Sequence, residues 1–178
     1  MSYTFAAACL VLGALDLAAA GSFTVPRSVP GGLANGVVAP AFRLMDTNGK
    51  AVALGDLRGK VMYLDFWFKG CRPCLAEAPA ATKLKAQFQG QDVVFVYISI
   101  DTNVEDWKQA IAEHTLGGSN SVHLLDPEGK YAARPYGVLG FPTYLVIGRD
   151  GRVLDGNAPR PSDGRRTVRA LERALAAR

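Results

Sequence analysis

Two cysteines three positions apart are the residues of this chain best suited to chemistry. Cys71 and Cys74 enclose Arg72 and Pro73, and they follow an apolar run over residues 61–68. Such a run predicts a buried strand, and apolar residues at helical spacing beyond it predict a helix. Unpaired N–H groups at a helix start stabilise a thiolate, so the pKa of the first thiol should fall below its ordinary value of about 8.5. The second sulfur then lies close enough to resolve a mixed disulfide.

Two simpler explanations of this pair are weaker. A cross-link this short removes little chain entropy, about 2 kcal/mol against about 3 kcal/mol for a 15-residue loop, so it would be a poor structural staple. Half of a zinc site would need two more ligands, and only Cys9, His114 and His123 remain, none at paired ligand spacing. We therefore predict redox chemistry carried by a Cys71–Cys74 disulfide, with no other cofactor and no metal.

The elements that must position the pair alternate between strands and helices. Asn48-Gly49 between two alternating runs predicts a hairpin, because both residues tolerate positive φ. Pro79 should kink the helix that follows the cysteines. The predicted strands are residues 42–44, 51–54, 61–68, 93–100, 122–125, 144–147 and 152–154. The predicted helices are residues 74–88, 103–115, 132–136 and a C-terminal helix capped by Ser162 or Asp163. This order predicts an α/β fold with a mixed central sheet.

Three segments are expected along the 178 residues. Residues 1–20 combine an apolar run with an Ala-Ala-Ala cleavage pattern, as in a secretory signal, although Asp16 interrupts the run and no Lys or Arg precedes it. An uncleaved helix and the tail of a preceding domain are the alternatives. Residues 21–36 predict a linker and residues 37–178 one folded domain. We expect export, to the periplasm or the outer face of a membrane.

The net charge and the cysteine count argue against two other classes of protein, nucleic-acid binders and disulfide-stabilised scaffolds. The net charge of +4 is small and its positive residues are dispersed, without the basic stripe and interleaved aromatics of a nucleic-acid binder. Three cysteines cannot build a disulfide framework, so the fold depends on its core. We expect a monomer.

Residues 39–152 resemble the TlpA/ResA branch of the thioredoxin superfamily, which consists of exported or membrane-tethered thiol–disulfide oxidoreductases. The resemblance rests on Leu-Asp-Phe-Trp at 64–67, Cys-Arg-Pro-Cys at 71–74, Glu77, Pro79, Gly-Phe-Pro-Thr at 140–143 and Ile-Gly-Arg-Asp-Gly at 147–151. It implies a thioredoxin fold with an N-terminal β-hairpin extension, and a helical insertion before the strand that follows a cis-proline. It also implies reduction of protein disulfides, with an upstream reductant such as a membrane thiol transporter.

The resemblance assigns roles to individual residues. Pro142 matches the cis-proline that faces the cysteines, since only X–Pro bonds adopt cis cheaply. Asp65 matches the buried acid beneath the cysteines, and Glu77 matches an acid that tunes the pair; either could relay a proton to or from Cys74. The alternatives are a locally bonded polar residue for Asp65 and a solvated helix position for Glu77.

Substrate contacts are expected around the cysteines. The candidates are Trp67, Arg72, Pro73, Phe141 and Thr143. Trp67 could equally be a core residue. The chain departs from the family at Gly70, where a bulky residue usually precedes the first cysteine, so substrate preference does not carry over.

Two other functions compete. A peroxiredoxin-like peroxidase, from the related AhpC/TSA proteins, would align its peroxidatic cysteine with Cys74, but its threonine three residues earlier is replaced by Cys71. A thiol-based copper carrier would need a further ligand, for which only His114 or His123 could serve if folding brought either close.

Overall fold

A computed structural model describes residues 28–29, 32–114, 116–118 and 120–177. The predicted signal segment, with Cys9, lies outside these residues. Within them, no helix has the length and apolar character needed to cross a membrane.

Nine strands and four helices make up the described chain. The strands are β1 (Ser28–Val29), β2 (Gly32–Leu33), β3 (Arg43–Asp46), β4 (Ala51–Ala53), β5 (Val61–Trp67), β6 (Val93–Ser99), β7 (Ser121–Leu125), β8 (Thr143–Ile147) and β9 (Val153–Asp155). The helices are α1 (Arg72–Ala76), α2 (Ala78–Gln87), α3 (Val104–Glu113) and α4 (Arg165–Ala176). Short 3-10 turns cover Leu54–Leu57, Pro127–Gly129 and Pro161–Asp163.

Seven of the strands form one mixed sheet, in the order β4-β3-β7-β6-β5-β8-β9. β5 and β6 run parallel, as do β6 and β7, whereas the other pairs are antiparallel. Every residue of β5 and β6 is buried, as expected for central strands covered on both faces. The predicted mixed α/β fold is confirmed, including the N-terminal hairpin of β3 and β4 and the insertion of α3 and β7 before the strand that follows Pro142.

The two faces of the sheet carry different cores. Alternation along β5 turns Tyr63, Asp65 and Trp67 to one face and Leu64 and Phe66 to the other. We call the first the helical face, because residues of α1, α2, α3 and α4 join its core. The opposite face is covered by residues 33–42, the β3–β4 hairpin and residues 132–136. Asp65 therefore lies on the same side as the cysteines.

Several local predictions differ from the structure. The predicted helix over 74–88 is divided at Glu77 into α1 and α2, just before Pro79. In the β3–β4 turn only Gly49 has positive φ, and the Asp46 carboxylate accepts N–H bonds from Asn48 and Lys50. The Asn-Gly signal located the turn but not its stabilising side chain.

The helix predicted over 132–136 is wrong. This segment is a series of turns, because Pro135 removes an N–H and Gly137 reverses the chain at φ 70°. The Asp126 carboxylate holds the segment by accepting N–H bonds from residues 131, 132 and 133, at 2.7, 2.9 and 2.8 Å.

Residues 36–39 run along the start of β9. Gly36 N–H donates to the Val153 carbonyl at 2.7 Å, and Val153 N–H donates to the Val37 carbonyl at 2.9 Å. Leu33 is buried in the core, and β1 and β2 pair antiparallel, all within the range expected to be a linker. Gly156 allows this approach, since a Cβ there would lie 1.7 Å from the Leu33 carbonyl oxygen.

Candidate active site

The site is built where β5 ends and α1 begins. Cys71 is the N-cap of α1 and forms a disulfide with Cys74, their Cα atoms 5.2 Å apart. The Cys74 N–H donates to the Cys71 sulfur at 3.2 Å. Pro73 lies in the first turn, where its missing N–H costs no helical bond. After reduction, the same N–H would favour an ionised Cys71 sulfur, as predicted for a thiol at a helix start.

The two cysteines lie just beneath the surface. Cys71 is 3% exposed and Cys74 is 7% exposed, whereas Arg72 and Pro73 between them are exposed. The Arg72 side chain is therefore solvated, which weakens its electrostatic effect on the buried sulfurs.

The loop before β8 carries the proline that the resemblance placed opposite the cysteines. The Phe141–Pro142 peptide bond is cis, as the resemblance implied. Thr143 follows as the first residue of β8, and its hydroxyl donates to the Gly140 carbonyl at 2.7 Å. The Phe141 ring packs edge-on against Phe68, with ring centroids 5.3 Å apart.

Phe68 occupies space left by Gly70. A Cβ at Gly70 would lie 3.2 Å from the Phe68 ring. The chain thus lacks a side chain directly before Cys71 but places an aromatic ring there from two positions earlier. The sequence identified Gly70 as a departure from the family but gave no signal that the Phe68 ring lies beside it.

Two carboxylates are buried on the helical face. Asp65 is 7% exposed, and its Oδ1 has no hydrogen-bond partner among the described residues. The pKa of Asp65 is raised to about 8: burial is the largest cause, the charge of Glu77 adds to the rise and the charge of Lys85 opposes it. Asp65 is therefore an acid that titrates near neutral pH.

Glu77 lies at the junction of α1 and α2 and is also 7% exposed. Its carboxylate accepts the Ser162 N–H and the Ser162 hydroxyl, each at 2.8 Å. The alternative of a solvated helix position is thus wrong.

Ser162 and Asp163, expected as caps of the last helix, lie in a 3-10 turn instead, and Gly164 is the N-cap of α4.

Comparison with known proteins agrees with this geometry. The redoxin family profile matches residues 34–175, most of the chain. The chain belongs to the redoxin family.

Several proteins similar to this redoxin are thiol–disulfide oxidoreductases. The thiol-disulfide oxidoreductase ResA of Bacillus subtilis (strain 168) is 32% identical over 146 residues, covering 79% of this chain and 78% of that protein. The thioredoxin domain of a thiol-disulfide oxidoreductase from Bacteroides vulgatus superposes with a TM-score of 0.70 at 31% identity, covering 80% of this chain and 99% of that one. A thiol:disulfide interchange protein from Bacteroides sp. superposes with a TM-score of 0.69 at 30% identity, covering 82% and 92%. With its Cys71–Cys74 disulfide, the redoxin is a thiol–disulfide oxidoreductase of the TlpA/ResA type.

The remaining predicted residues occupy defined places in the redoxin. Trp67 is 2% exposed and lies in the core of the helical face, the alternative role left open for it. His123 stacks on Tyr97, with ring centroids 4.8 Å apart. In the described part of the chain, no three His, Cys, Asp or Glu side chains converge in an arrangement that could hold a metal ion.

Sequence reasoning missed Lys85, which is 5% exposed on α2. A signal was present: Lys85 falls on the same helical stripe as Ala78, Ala81 and Phe88, at the spacing of a buried face. A lysine at such a position predicts an internal partner. Ser162 offered no comparable signal, since it lies 85 residues from Glu77.

Proposed function

We propose that this redoxin reduces disulfide bonds in other proteins through its Cys71–Cys74 pair. The observation that supports this direction is the burial of two carboxylates, Asp65 and Glu77, on the side of the sheet that carries both cysteines. Negative charge on this side of the sheet, from Glu77 and from the fraction of Asp65 that is ionised, disfavours thiolates and so favours the disulfide over the reduced pair. The opposing charge, that of Arg72, is on an exposed side chain, where water weakens its effect.

The proposed reductive cycle uses the two sulfurs in turn. The Cys71 thiolate attacks a substrate disulfide, forming a mixed disulfide and releasing the first substrate thiolate. The Cys74 thiol then loses its proton to a nearby carboxylate, for which Asp65 is the candidate, and attacks the Cys71 sulfur. The second substrate sulfur leaves as a thiolate, and the Cys71–Cys74 disulfide remains; the carboxyl group then returns its proton to the solvent or to the departing sulfur. Two electrons pass from the redoxin to the substrate in each turn.

Substrate contacts are proposed on the rim of the site. Arg72 and Pro73 are exposed beside the cysteines, while Phe68, Phe141, Pro142 and Thr143 are partly exposed. These residues present an apolar rim with one positive charge, which suits a chain segment of a partly unfolded protein. Pro142 and Thr143 would offer backbone to that segment.

Location and partners are also part of the proposal. The signal-like pattern over residues 1–20 supports a place in the periplasm or on the outer face of a membrane. A protein there receives oxidised substrates, and an apocytochrome c awaiting haem is one substrate class with the required cysteines. The oxidised redoxin then needs an upstream reductant, such as a membrane thiol transporter, to reduce it again.

The reduction potential of the Cys71–Cys74 couple tests the direction. Equilibration with reduced and oxidised dithiothreitol, followed by quantification of free thiols, measures it. A reductant should lie near thioredoxin, at about −270 mV. A value near that of DsbA, about −120 mV, would refute the proposal.

The order of the two sulfurs is tested by trapping. Cys74→Ser should accumulate a mixed disulfide through Cys71, because the resolving thiol is gone, while Cys71→Ser should neither turn over insulin nor trap it. Mass spectrometry of a covalent adduct with an unfolded disulfide-containing protein measures this. If Cys71→Ser forms the adduct and Cys74→Ser does not, the assigned order is reversed.

A further inference from the structure

The outer side of α4 carries three arginines in one row. Arg166, Arg169 and Arg173 follow one another at spacings of three and four residues, so they lie on the same side of the helix. All three are exposed, and none of them forms an ion pair within the described part of the chain. We call these three residues the arginine face.

The arginine face borders a shallow concavity of about 270 Å³. The chain just after β9 forms the other border, at Asp155, Asn157 and Pro159. Among the described lining residues Asp155 is the one acid; it is half-buried and accepts the Asn157 N–H at 3.1 Å. Three guanidinium groups thus face one carboxylate, which leaves an excess of positive charge. Because a guanidinium binds phosphate oxygens through paired N–H donors, the concavity suits an anionic phosphate group.

The arginine face has no apolar centre of the kind found in protein–protein interfaces. In the described chain, the large apolar side chains with high exposure are Val38, Met45, Val104, Tyr131 and Leu139, and none of them belongs to α4 or to the concavity. A specific protein interface usually contains a dehydrated core with aromatic or apolar anchors. A row of solvated cations without such a core suits a broad array of negative charge, such as the surface of an anionic bilayer.

The N-terminal part of the chain meets the fold beside the same concavity. The Gly156 N–H donates to the Asn35 side-chain oxygen at 2.9 Å, and Gly156 also packs against the Leu33 carbonyl. Its neighbours Asp155 and Asn157 line the concavity. Seven residues, 21–27, separate the signal-like segment from β1, a reach of at most about 25 Å. Where that segment stays attached and enters a bilayer, it therefore brings this side of the molecule to the lipid surface.

We propose that the arginine face docks this redoxin on a membrane that contains anionic phospholipids, with headgroup phosphates against Arg166, Arg169 and Arg173. The inference rests on the proposed function only for the location, at the outer face of a membrane. The cysteines lie at the start of α1 and take no part in the concavity. Docking and thiol exchange thus use different side chains.

Arginine footprinting of the full chain tests the docking. Phenylglyoxal modifies accessible guanidinium groups, and mass spectrometry after proteolysis gives the modification rate of each arginine. The probes are vesicles of phosphatidylcholine alone, and vesicles of phosphatidylcholine and phosphatidylglycerol in equal parts. On the anionic vesicles Arg166, Arg169 and Arg173 should react several-fold more slowly, while the exposed Arg43 and Arg72 should react as they do in solution. Equal rates for the arginine face on both kinds of vesicle would overturn the proposal.

Removal of part of the charge gives a second test. In Arg169→Gln/Arg173→Gln, docking should weaken about 25-fold, at about fivefold for each cation lost near the lipid surface, so Arg166 should lose its protection. Arg43→Gln/Lys50→Gln removes the same charge from exposed positions of the β3–β4 hairpin and should keep Arg166 protected. Protection that persists in the first variant, or that disappears in both, would overturn the assignment to this face.

Activity separates the docking from the proposed function. Without vesicles, both double variants should reduce insulin at the wild-type rate, since the substituted residues contact neither the sulfurs nor the proposed rim. Slower reduction by Arg169→Gln/Arg173→Gln alone would place the arginine face in the substrate site and overturn the proposal. A Cys71–Cys74 potential near that of DsbA would refute the reductive direction but leave the docking intact.

Poly-glutamate is the probe for an acidic protein partner. It should protect the arginine face less than the anionic vesicles do, because a flexible acidic chain does not present a planar array of phosphates. Protection by poly-glutamate without protection by the anionic vesicles would assign the arginine face to an acidic protein and overturn the proposal.

Discussion

Asp65→Asn should change the way in which stability depends on pH. The pKa of Asp65 is raised by burial to about 8 in the folded protein, from an ordinary value of 3.8. Between these values the unfolded chain is ionised at this position and the folded protein is protonated. The folded state then binds more protons, so the free energy of unfolding falls as pH rises through this window. Asparagine cannot ionise, so the variant loses this contribution.

The size of the effect follows from the same two values. Each pH unit within the window is worth about 1.4 kcal/mol. From pH 4 to pH 7 the wild-type protein should therefore lose about 4 kcal/mol relative to Asp65→Asn, and above pH 8 the difference should level off. The constant cost of placing an amide in the site cancels, because only the change with pH is compared.

Urea denaturation of the oxidised proteins at pH 4, 5, 6, 7 and 8 measures this difference. Glu172→Gln is the matched control, since Glu172 is an exposed carboxylate on α4. The control should run parallel to the wild type across the series. If Asp65→Asn also runs parallel to the wild type, Asp65 is ionised in the folded protein throughout, and the argument from burial fails.

Three further substitutions test other parts of the structure. Ser162→Ala removes one of the two donors to the buried Glu77 and should cost about 1–2 kcal/mol, measured by urea denaturation. Asp126→Ala leaves three N–H groups without their acceptor and should cost about 3 kcal/mol or more in the same measurement. Phe68→Ala should lower kcat/KM for insulin several-fold while leaving the rate with oxidised glutathione nearly unchanged. The reason is that the Phe68 ring lies on the proposed substrate-contact rim and takes no part in the chemistry of the two sulfurs.

Each of these three predictions has an outcome that would contradict it. Wild-type stability in Ser162→Ala would mean that the backbone N–H alone holds Glu77. Wild-type stability in Asp126→Ala would mean that water or a shifted loop satisfies residues 131–133. Equal losses with insulin and glutathione in Phe68→Ala would assign the ring to the support of Cys71.

Local patterns predicted the elements that position the cysteines. The continuous apolar runs at β5 and β6 were recognisable because a strand covered on both faces needs apolar residues at every position. The start of α1 was recognisable because Cys71-Arg72-Pro73-Cys74 directly follows such a strand. These signals lie within a few residues of the structure they specify.

The acid–base groups were harder to predict because their partners are distant in sequence. The contact between Glu77 and Ser162 depends on where the chain before α4 packs, so no local pattern predicts it. A Ser and an Asp before a helix predict an N-cap just as readily as a partner for a distant carboxylate. The buried Lys85 donates to the carbonyls of Leu116 and Gly117, 31 and 32 residues further along the chain. The family resemblance pointed to both acids but could not identify what holds them.

The pairing of residues 36–39 with β9 has a consequence for self-association. A free strand edge invites pairing with another chain. Here residues 36 and 37 already bond to Val153, and the Ala39 N–H donates to the Gly151 carbonyl at 2.9 Å. A second copy could pair with this edge of the sheet only by first displacing residues 36–39. These residues therefore protect the edge strand β9 from edge-to-edge association.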